Sequence, residues 1–523
     1  DVDGATVGVF LLQRHAARAR EYAAAIPSMV RVLARRFGPY PFDTFGIAEL
    51  PSAVAPPGFG GRSEQSYFIA HTDALDGPGV NTALFAHELA HMWLPNLVDS
   101  QPPGDDMLDE AVANYAVALY REATVSAEAA AAELIEGHPD FSGRGYFHYA
   151  RLGTDEPLMT DYSPLIARAK GPWVYRMLRD RVGDDRFFST LQEFIRVNAH
   201  RSVSLVDLRR AFLQNAPPEA GLDRFFREWL DRPGAPILDV TWERLEDVGS
   251  PRVQLRVIQR GEVYQLPLDI AVFAGSRRRD HRVRLERAEQ QFVLESPGDP
   301  TSVVLDPNRR LLVWREEFGP PPHEPRAWDR QRWRAWFDRE VDWLMKQYAV
   351  DAVSITTIEN YSTDWASGYG LSQRAELVSP ETRFDIGSLN RLTSDTGFAH
   401  LPPTSARLGW FFAELLKGAH GQTSALAADG LSKHLRAERE GPGEFGPARR
   451  SSVLFLGTGS ASGRLYAWAP ASGQLALFVG YPGTGQGAVV LTEGGWGARQ
   501  LAVHLVQRIG IQQGWPGVPK WGG

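Results

Sequence analysis

Cysteine is absent from all 523 residues, which excludes disulfides, thiolate metal sites and cysteine nucleophiles. That absence fits a bacterial protein working either inside the cell or in an oxidising space, so the compartment stays open. No run of about 18 apolar residues occurs, and no segment therefore has the sequence of a membrane-spanning helix. The opening Asp1-Val2-Asp3-Gly4 holds neither an initiator methionine nor a signal peptide, and reads as the start of a piece of a longer precursor. Excess charge is missing too: 56 Lys and Arg against 63 Asp and Glu leave a net −7, which implies neither nucleic acid nor an anionic membrane as partner. Arg277-Arg278-Arg279 read as solvated loop charge, and no internal repeat is apparent.

What is present begins with Phe85-Ala86-His87-Glu88-Leu89-Ala90-His91-Met92-Trp93. Histidines at i and i+4 of a helix project from one face, so both imidazoles reach one ion while Glu88 sits beside the open coordination position. Asp109-Glu110-Ala111-Val112-Ala113-Asn114-Tyr115 opens a second apolar-periodic helix. Asp105 or Asp106 is its expected N-cap after Pro102-Pro103-Gly104, and its first turn can bring Glu110 to the metal. The expected site is one zinc ion held by His87, His91 and Glu110, with Glu88 taking a proton from water in the fourth position. Nitrogen and oxygen ligands also accept cobalt or manganese.

Length suggests about three domains. Residues 1–232 read mainly as helices: Val7 to Phe37, Ala83 to Leu94, Asp109 to Glu122, Trp173 to Val182, Asp185 to Val197 and Leu205 to Leu213. Strands are expected at Phe42 to Glu49 and Ser66 to His71. From Pro233 the period switches to two, with short strands at Leu238 to Trp242, Arg252 to Gln259, Val263 to Phe273, Arg282 to Leu285, Gln290 to Leu294 and Ser302 to Leu305. Residues 233–315 thus predict a small β-sandwich. Residues 316–326 are a Pro-rich linker. Residues 327–523 begin with a tryptophan-rich helix, Ala327 to Tyr348, and close on strands Gln474 to Val479 and Ala488 to Thr492 and a helix from Ala498 to Ile509.

The first segment resembles the catalytic domain of the aminopeptidase N family of zinc metallopeptidases, and the sandwich resembles that family's following domain. Arg36-Phe37-Gly38-Pro39-Tyr40-Pro41-Phe42 and Glu49-Leu50-Pro51 are similar to the approach to the family's Gly-x-Met-Glu-Asn strand. Gly61-Arg62-Ser63-Glu64-Gln65 then stands in its place. The resemblance implies a peptide substrate with a free N-terminus, its ammonium bound by Glu64, with Gln65 and the backbone at Gly61 beside it. Ser63 replaces the family's methionine and Gln65 its asparagine. Arg168 stands two positions before Lys170-Gly171, where the family places an oxyanion-stabilising tyrosine. Arg168 as donor, Tyr162 swinging in, or a merely structural Arg168 paired with a carboxylate are the alternatives.

In the third segment, Asp364 to Gly370, Thr382 to Ser388, Gly485 to Thr492 and Gly514-Trp515-Pro516 resemble pieces of the serine β-lactamase and penicillin-binding-protein-like family. That family sets a lysine three residues after its serine. Ser388-Leu389-Asn390-Arg391 has arginine there, which stays protonated and cannot act as a base. The basic residue is also missing at Ala467-Trp468-Ala469 and at Gly457-Thr458-Gly459. A shortened, non-catalytic domain is expected.

The whole predicts a multidomain α+β chain: a thermolysin-like zincin catalytic domain, a small β-sandwich and a shortened β-lactamase-like α/β domain. Its expected function is that of a zinc metallopeptidase of the aminopeptidase type. The alternatives are a catalytically impaired zinc-binding pseudoenzyme or binding protein that recognises partners through its C-terminal domains, and hydrolysis of an ester or β-lactam at Ser388.

Overall fold

Thr6–Phe10, expected to open a helix running to Phe37, forms a strand, β1, paired in parallel with β2 (Thr44–Leu50) from Thr6↔Thr44 to Phe10↔Ala48. The β-branched Thr6, Val7 and Val9 favour that pairing, and a partner far along the chain overrides the local helical pattern. The helix, α1 (Ala19–Phe37), begins only after a 3-10 turn and buries Tyr22, Ile26, Met29, Val30, Leu33 and Phe37 along one face. In this computed structural model the described residues are 5–519 without 52–53, 55–59, 78, 161–163, 246–249, 437–438, 444, 452, 459–462, 472 and 496. The chain divides into two units, Asp1–Phe318 and Gly319–Gly523.

The first unit continues through β3 (Gly61–Glu64), β4 (Tyr67–His71), α2 (Thr82–Ala90), β5 (Asp99–Ser100), α3 (Asp105–Leu108), α4 (Glu110–Thr124), α5 (Ala127–Glu136) and α6 (Gly143–Arg151). Then come α7 (Pro164–Val182), α8 (Asp184–Val197), β6 (Ser202–Val203), α9 (Leu205–Asn215) and α10 (Leu222–Trp229). Four strands make a sheet in the order β1-β2-β4-β3, antiparallel only at β3. Phe45, Ile47, Phe68 and Ala70 are buried. Phe68 meets Phe85 of α2 edge-on at 4.7 Å, and Phe85 stacks on Tyr22 of α1 at 5.0 Å. The outer strand β3 is thereby held beside α2.

The expected N-cap is corrected: Gly104, in the left-handed region at φ 77°, caps the short α3, and a break at Asp109 separates α3 from α4. Helix α4 is apolar nearly all round, with Ala111, Val112, Ala113, Tyr115, Ala116, Val117, Ala118 and Leu119 buried, the pattern of a central helix. Gly171 of α7 lies against it so closely that a Cβ there would stand 2.4 Å from Ala111 Cβ and 2.7 Å from Met107 Sδ. The neighbouring Lys170 is fully buried and donates to the Arg232 carbonyl at 3.2 Å.

After α10 come β7 (Ile237–Leu245), β8 (Arg252–Arg260), β9 (Leu266–Ala274), β10 (Arg277–Leu285), β11 (Glu289–Glu295) and β12 (Ser302–Leu305). They form two three-stranded antiparallel sheets, β10-β9-β12 and β11-β8-β7. Arg277-Arg278-Arg279, read as loop charge, opens β10 instead, on its exposed side; the hairpin partner β9 supplies the backbone pairing.

The second unit has α11 (Arg330–Gln347), β13 (Ala352–Glu359), β14 (Ser362–Gly370), α12 (Leu389–Asp395), α13 (Ser405–Ala419) and α14 (Ala428–Leu435). It closes with β15 (Arg439–Gly443), β16 (Gly446–Arg450), β17 (Leu454–Gly457), β18 (Leu465–Ala471), β19 (Gln474–Tyr481), β20 (Gln486–Glu493) and α15 (Ala498–Gln513). One antiparallel sheet runs β14-β13-β20-β19-β18-β17-β16-β15. Ala352 to Ile358 of β13 are all buried, so both faces of the sheet are covered there. Phe412 of α13 stacks on Phe478 of β19 at 3.8 Å. Among the described residues no helix is long and apolar enough to cross a membrane.

Two stability predictions follow from α7. Gly171→Ala gains up to about 1 kcal/mol of helix propensity, but overpacking against Ala111 and Met107 costs about 1–3 kcal/mol. Urea denaturation is expected to show a net loss for Gly171→Ala and a larger one for Gly171→Val. Burial lowers the Lys170 pKa from 10.5 to about 8, partly offset by Asp155. Between those values the unfolded chain binds more protons, so stability should rise with pH from about 8 to 10.5. Lys170→Met should flatten that slope; parallel slopes in the two proteins would refute the assignment.

Candidate metal centre and its surroundings

Asn81 starts α2 by accepting from the Leu84 amide at 3.2 Å. The helix ends at Ala90, shorter than expected, yet His91 keeps helical angles as its C-cap residue (φ −60°, ψ −15°). The i, i+4 relation of His87 and His91 therefore survives. Trp93 anchors the exit by donating to the Gly38 and Pro39 carbonyls at 3.0 and 3.1 Å. Glu110 is the first residue of α4. His87, His91 and Glu110 bring one ligand atom each to within 4.8 Å of one another.

The hydrogen-bond partners fix which atoms converge. Asn114, one turn along α4 from Glu110, donates its Nδ2 to the Arg168 carbonyl at 3.2 Å. Its Oδ1 must then accept from His87 Nδ1 at 2.9 Å. His91 Nδ1 lies 2.8 Å from Asp109 Oδ1 and 3.2 Å from the Leu94 carbonyl, both acceptors. With Nδ1 of each ring carrying hydrogen, the two Nε2 lone pairs face each other at 3.2 Å, and Glu110 Oε2 faces His87 Nε2 at 3.3 Å. Three acceptors around one point repel unless a cation is shared between them. Tetrahedral ligands on zinc, at about 2.0–2.1 Å, stand about 3.3–3.4 Å apart. The two separations that involve His87 Nε2 match that spacing, the whole set lies within 4.8 Å, and the partners on Nδ1 are those that orient metal-binding histidines.

Electrostatics favour positive charge at the same point, whether supplied by a proton on His91 or by an ion. Burial opposes charge on His91, but the Asp109 hydrogen bond and the negative Asp109, Glu110 and Glu88 outweigh it and raise its pKa to about 9. Burial also works against ionised Glu110, yet the adjacent His87 and the positive surroundings, Arg168 among them, lower its pKa to about 2. Glu88 is 6% exposed; its pKa is raised by burial, with His87 and His91 pulling the other way. A carboxylate so placed is poised as a general base.

Strand β3 runs beside that base. A Cβ on Gly61 would lie 3.3 Å from Glu88 Oε1, and Ser63 Oγ donates to the Glu88 carbonyl at 3.0 Å. Gln65 Nε2 donates to the Asn96 carbonyl at 3.1 Å. Glu64 pairs with Arg62 at 2.9 Å, on the strand face opposite Gly61 and Ser63 by alternation. Arg168 meets a ligand: its Nη2 donates to Glu110 Oε1 at 2.9 Å. Tyr162 lies outside the described residues. Asp109 and Asn114, which orient the histidines, were not singled out from the sequence; the position of Asn114 one turn beyond Glu110 was the available signal.

The peptidase family M1 domain matches residues 73–229, the stretch that carries all three converging side chains and Glu88. Aminopeptidase N of Streptomyces lividans is 27% identical over 214 residues, 38% of this chain and 24% of that protein. Aminopeptidase N of Lactococcus lactis subsp. lactis is 27% identical over 165 residues, 29% of this chain and 19% of that protein. The chain spans a quarter or less of the length of these curated relatives. The solved structure of Legionella pneumophila aminopeptidase A, in complex with aspartic acid, is 14% identical and covers 65% of this chain and 39% of its own, with a TM-score of 0.46. The family match and the relatives support zinc metallopeptidase chemistry in a mixed helix-and-sheet, multidomain chain.

Asn114→Leu should weaken zinc binding by about 10- to 100-fold, because His87 loses the acceptor that fixes its tautomer. Competition against a chromophoric chelator reads this directly; unchanged affinity would show that the ring needs no such partner.

Proposed function

We infer that the protein is a zinc metallopeptidase of the aminopeptidase type, acting on peptides with a free N-terminus. The observation that carries the reading is the convergence of His87 Nε2, His91 Nε2 and Glu110 Oε2 beside the buried Glu88. His87, His91 and Glu110 hold the ion, which when bound supplies Lewis acidity for a substrate carbonyl and acidifies water. Glu88 takes the proton of the attacking water and passes it to the leaving amine. The backbone at Gly61 runs beside the substrate, with Gln65 next to it. Glu64 is the carboxylate the resemblance offers for the substrate ammonium; it pairs with Arg62 on the strand face away from Gly61 and Ser63, so that contact requires the end of the strand to turn as well as the exposed pair, worth about 0–1 kcal/mol, to open.

In this reading residues 1–232 are a thermolysin-like catalytic domain and 233–315 a supporting β-sandwich. Residues 316–326 are a linker, and 327–523 a degenerate β-lactamase-like domain that binds rather than cleaves. One feature of that last segment supports its inertness: Arg391, three residues after Ser388, stays protonated and lies 3.9 Å from Asp395.

One observation favours a second reading, a zinc-binding protein without turnover: Arg168 is engaged with Glu110 where the resemblance calls for a free oxyanion donor. Aminoacyl fluorogenic amides separate the two. Wild type with one zinc should hydrolyse some of the panel, and Glu88→Gln should lose at least about 100-fold in rate while keeping its zinc. Equal background rates from both zinc-loaded proteins would move the assignment to the second reading.

A further inference from the structure

Residue 168 touches the ligand set by two routes. Its guanidinium holds Glu110 Oε1 at 2.9 Å, leaving Oε2 to face His87 Nε2 at 3.3 Å. Its carbonyl accepts from Asn114, whose other end meets His87 Nδ1. A closed circuit results, running from His87 through Asn114 to the backbone of residue 168, then through its side chain to Glu110 and back to His87. The guanidinium is itself fixed, with its carbon 5.6 Å from the centre of the Phe141 ring and 31% of the side chain exposed. Its Nε is buried without a hydrogen-bond partner.

A carboxylate with both oxygens free binds a cation through one or both. An arginine N–H on one oxygen occupies one of its lone pairs and competes with the ion for that oxygen, which favours binding through the other. We propose that Arg168 is a positioning residue that makes Glu110 a one-oxygen ligand and so keeps the remaining coordination position open. The inference rests on the zinc site inferred above. It assigns to Arg168 a task different from donating to an oxyanion: the Nη2 nearest the cluster is committed to Glu110 before any substrate arrives.

Removing the guanidinium has two opposed effects. Loss of a neighbouring cation relieves repulsion and tightens metal binding, whereas loss of the restraint leaves Glu110 unoriented, which weakens binding, and free to turn so that both oxygens meet the ion. Coordination number separates them. The experiment uses full-length wild type, Arg168→Met and Arg168→Lys, with zinc affinity measured by chelator competition and ligand count read from the visible spectrum of the cobalt-substituted protein. Arg168→Lys is included because Arg168→Met leaves the half-buried Glu110 without its partner and lowers stability; lysine keeps charge and one donor.

The expected result for Arg168→Met is a weaker cobalt band, as a ligand atom is added, with zinc affinity reduced about 10- to 100-fold. Arg168→Lys should fall between it and wild type on both readouts. Spectra superimposable with wild type in both variants overturn the inference, and so does tighter zinc binding with an unchanged spectrum, which would reduce Arg168 to simple repulsion. A wild-type protein that binds no zinc overturns the site itself, an outcome distinct from zinc-bound variants that behave alike.

Discussion

Three lone pairs aimed at one point make an arrangement that a folded chain maintains only if something behind each of them is firmly held. Here Asn114 stands behind His87, Asp109 and the Leu94 carbonyl behind His91, and Arg168 behind Glu110. Each backing group comes from a helix, a helix break or a tight turn, and these meet because α4 is apolar nearly all round and is packed by α1, α2, α5 and α7. The repulsion at the centre is thus opposed by the core. Gly171 belongs to the same constraint, since the distance from α7 to α4 decides whether Arg168 reaches Glu110.

How much of this was legible in the sequence follows from how local each feature is. His87, Glu88 and His91 obey a helical period, and the chemistry of the residue types does the rest. Glu110 could be placed because a helix visibly starts there. The break at Asp109 could not, because two short apolar-periodic stretches read as one helix until Gly104 takes the cap. Asn114 looked like an ordinary polar residue on a helix, and its role depends on a carbonyl from α7. The direction of Arg168 was likewise open: pairing with a carboxylate was among the alternatives, but nothing local says that the carboxylate is Glu110.

The fold shows the same division. Alternating strands from Ile237 to Leu305 were readable from their period of two, to within a few residues, except where charge on β10 looked like a loop. Strand β1 was misread because its pairing partner lies more than thirty residues on, at Thr44–Leu50. Helices α5 and α6 escaped notice: one is nearly all alanine and glutamate, and the other buries arginine and histidine with its aromatics. In the second unit β19 and β20 were visible as continuous apolar runs, whereas β13, buried beside β20, was not among the expected strands. The hairpin of β15 and β16, rich in glycine, proline and arginine, was not.

The meeting of α2 and α4 has an electrical side. His91 closes α2 at its carbonyl end, and Glu110 opens α4 at its amide end. The field at the first terminus favours positive charge and that at the second favours negative charge, each by about 0.3–1 kcal/mol. A cation between His91 and Glu110 therefore sits where one helix attracts it directly, while the other secures the carboxylate that neutralises it. The carbonyl end of α2 and the amide end of α4 thus provide a polarised seat whose sign is set by backbone direction alone, before any side chain is chosen.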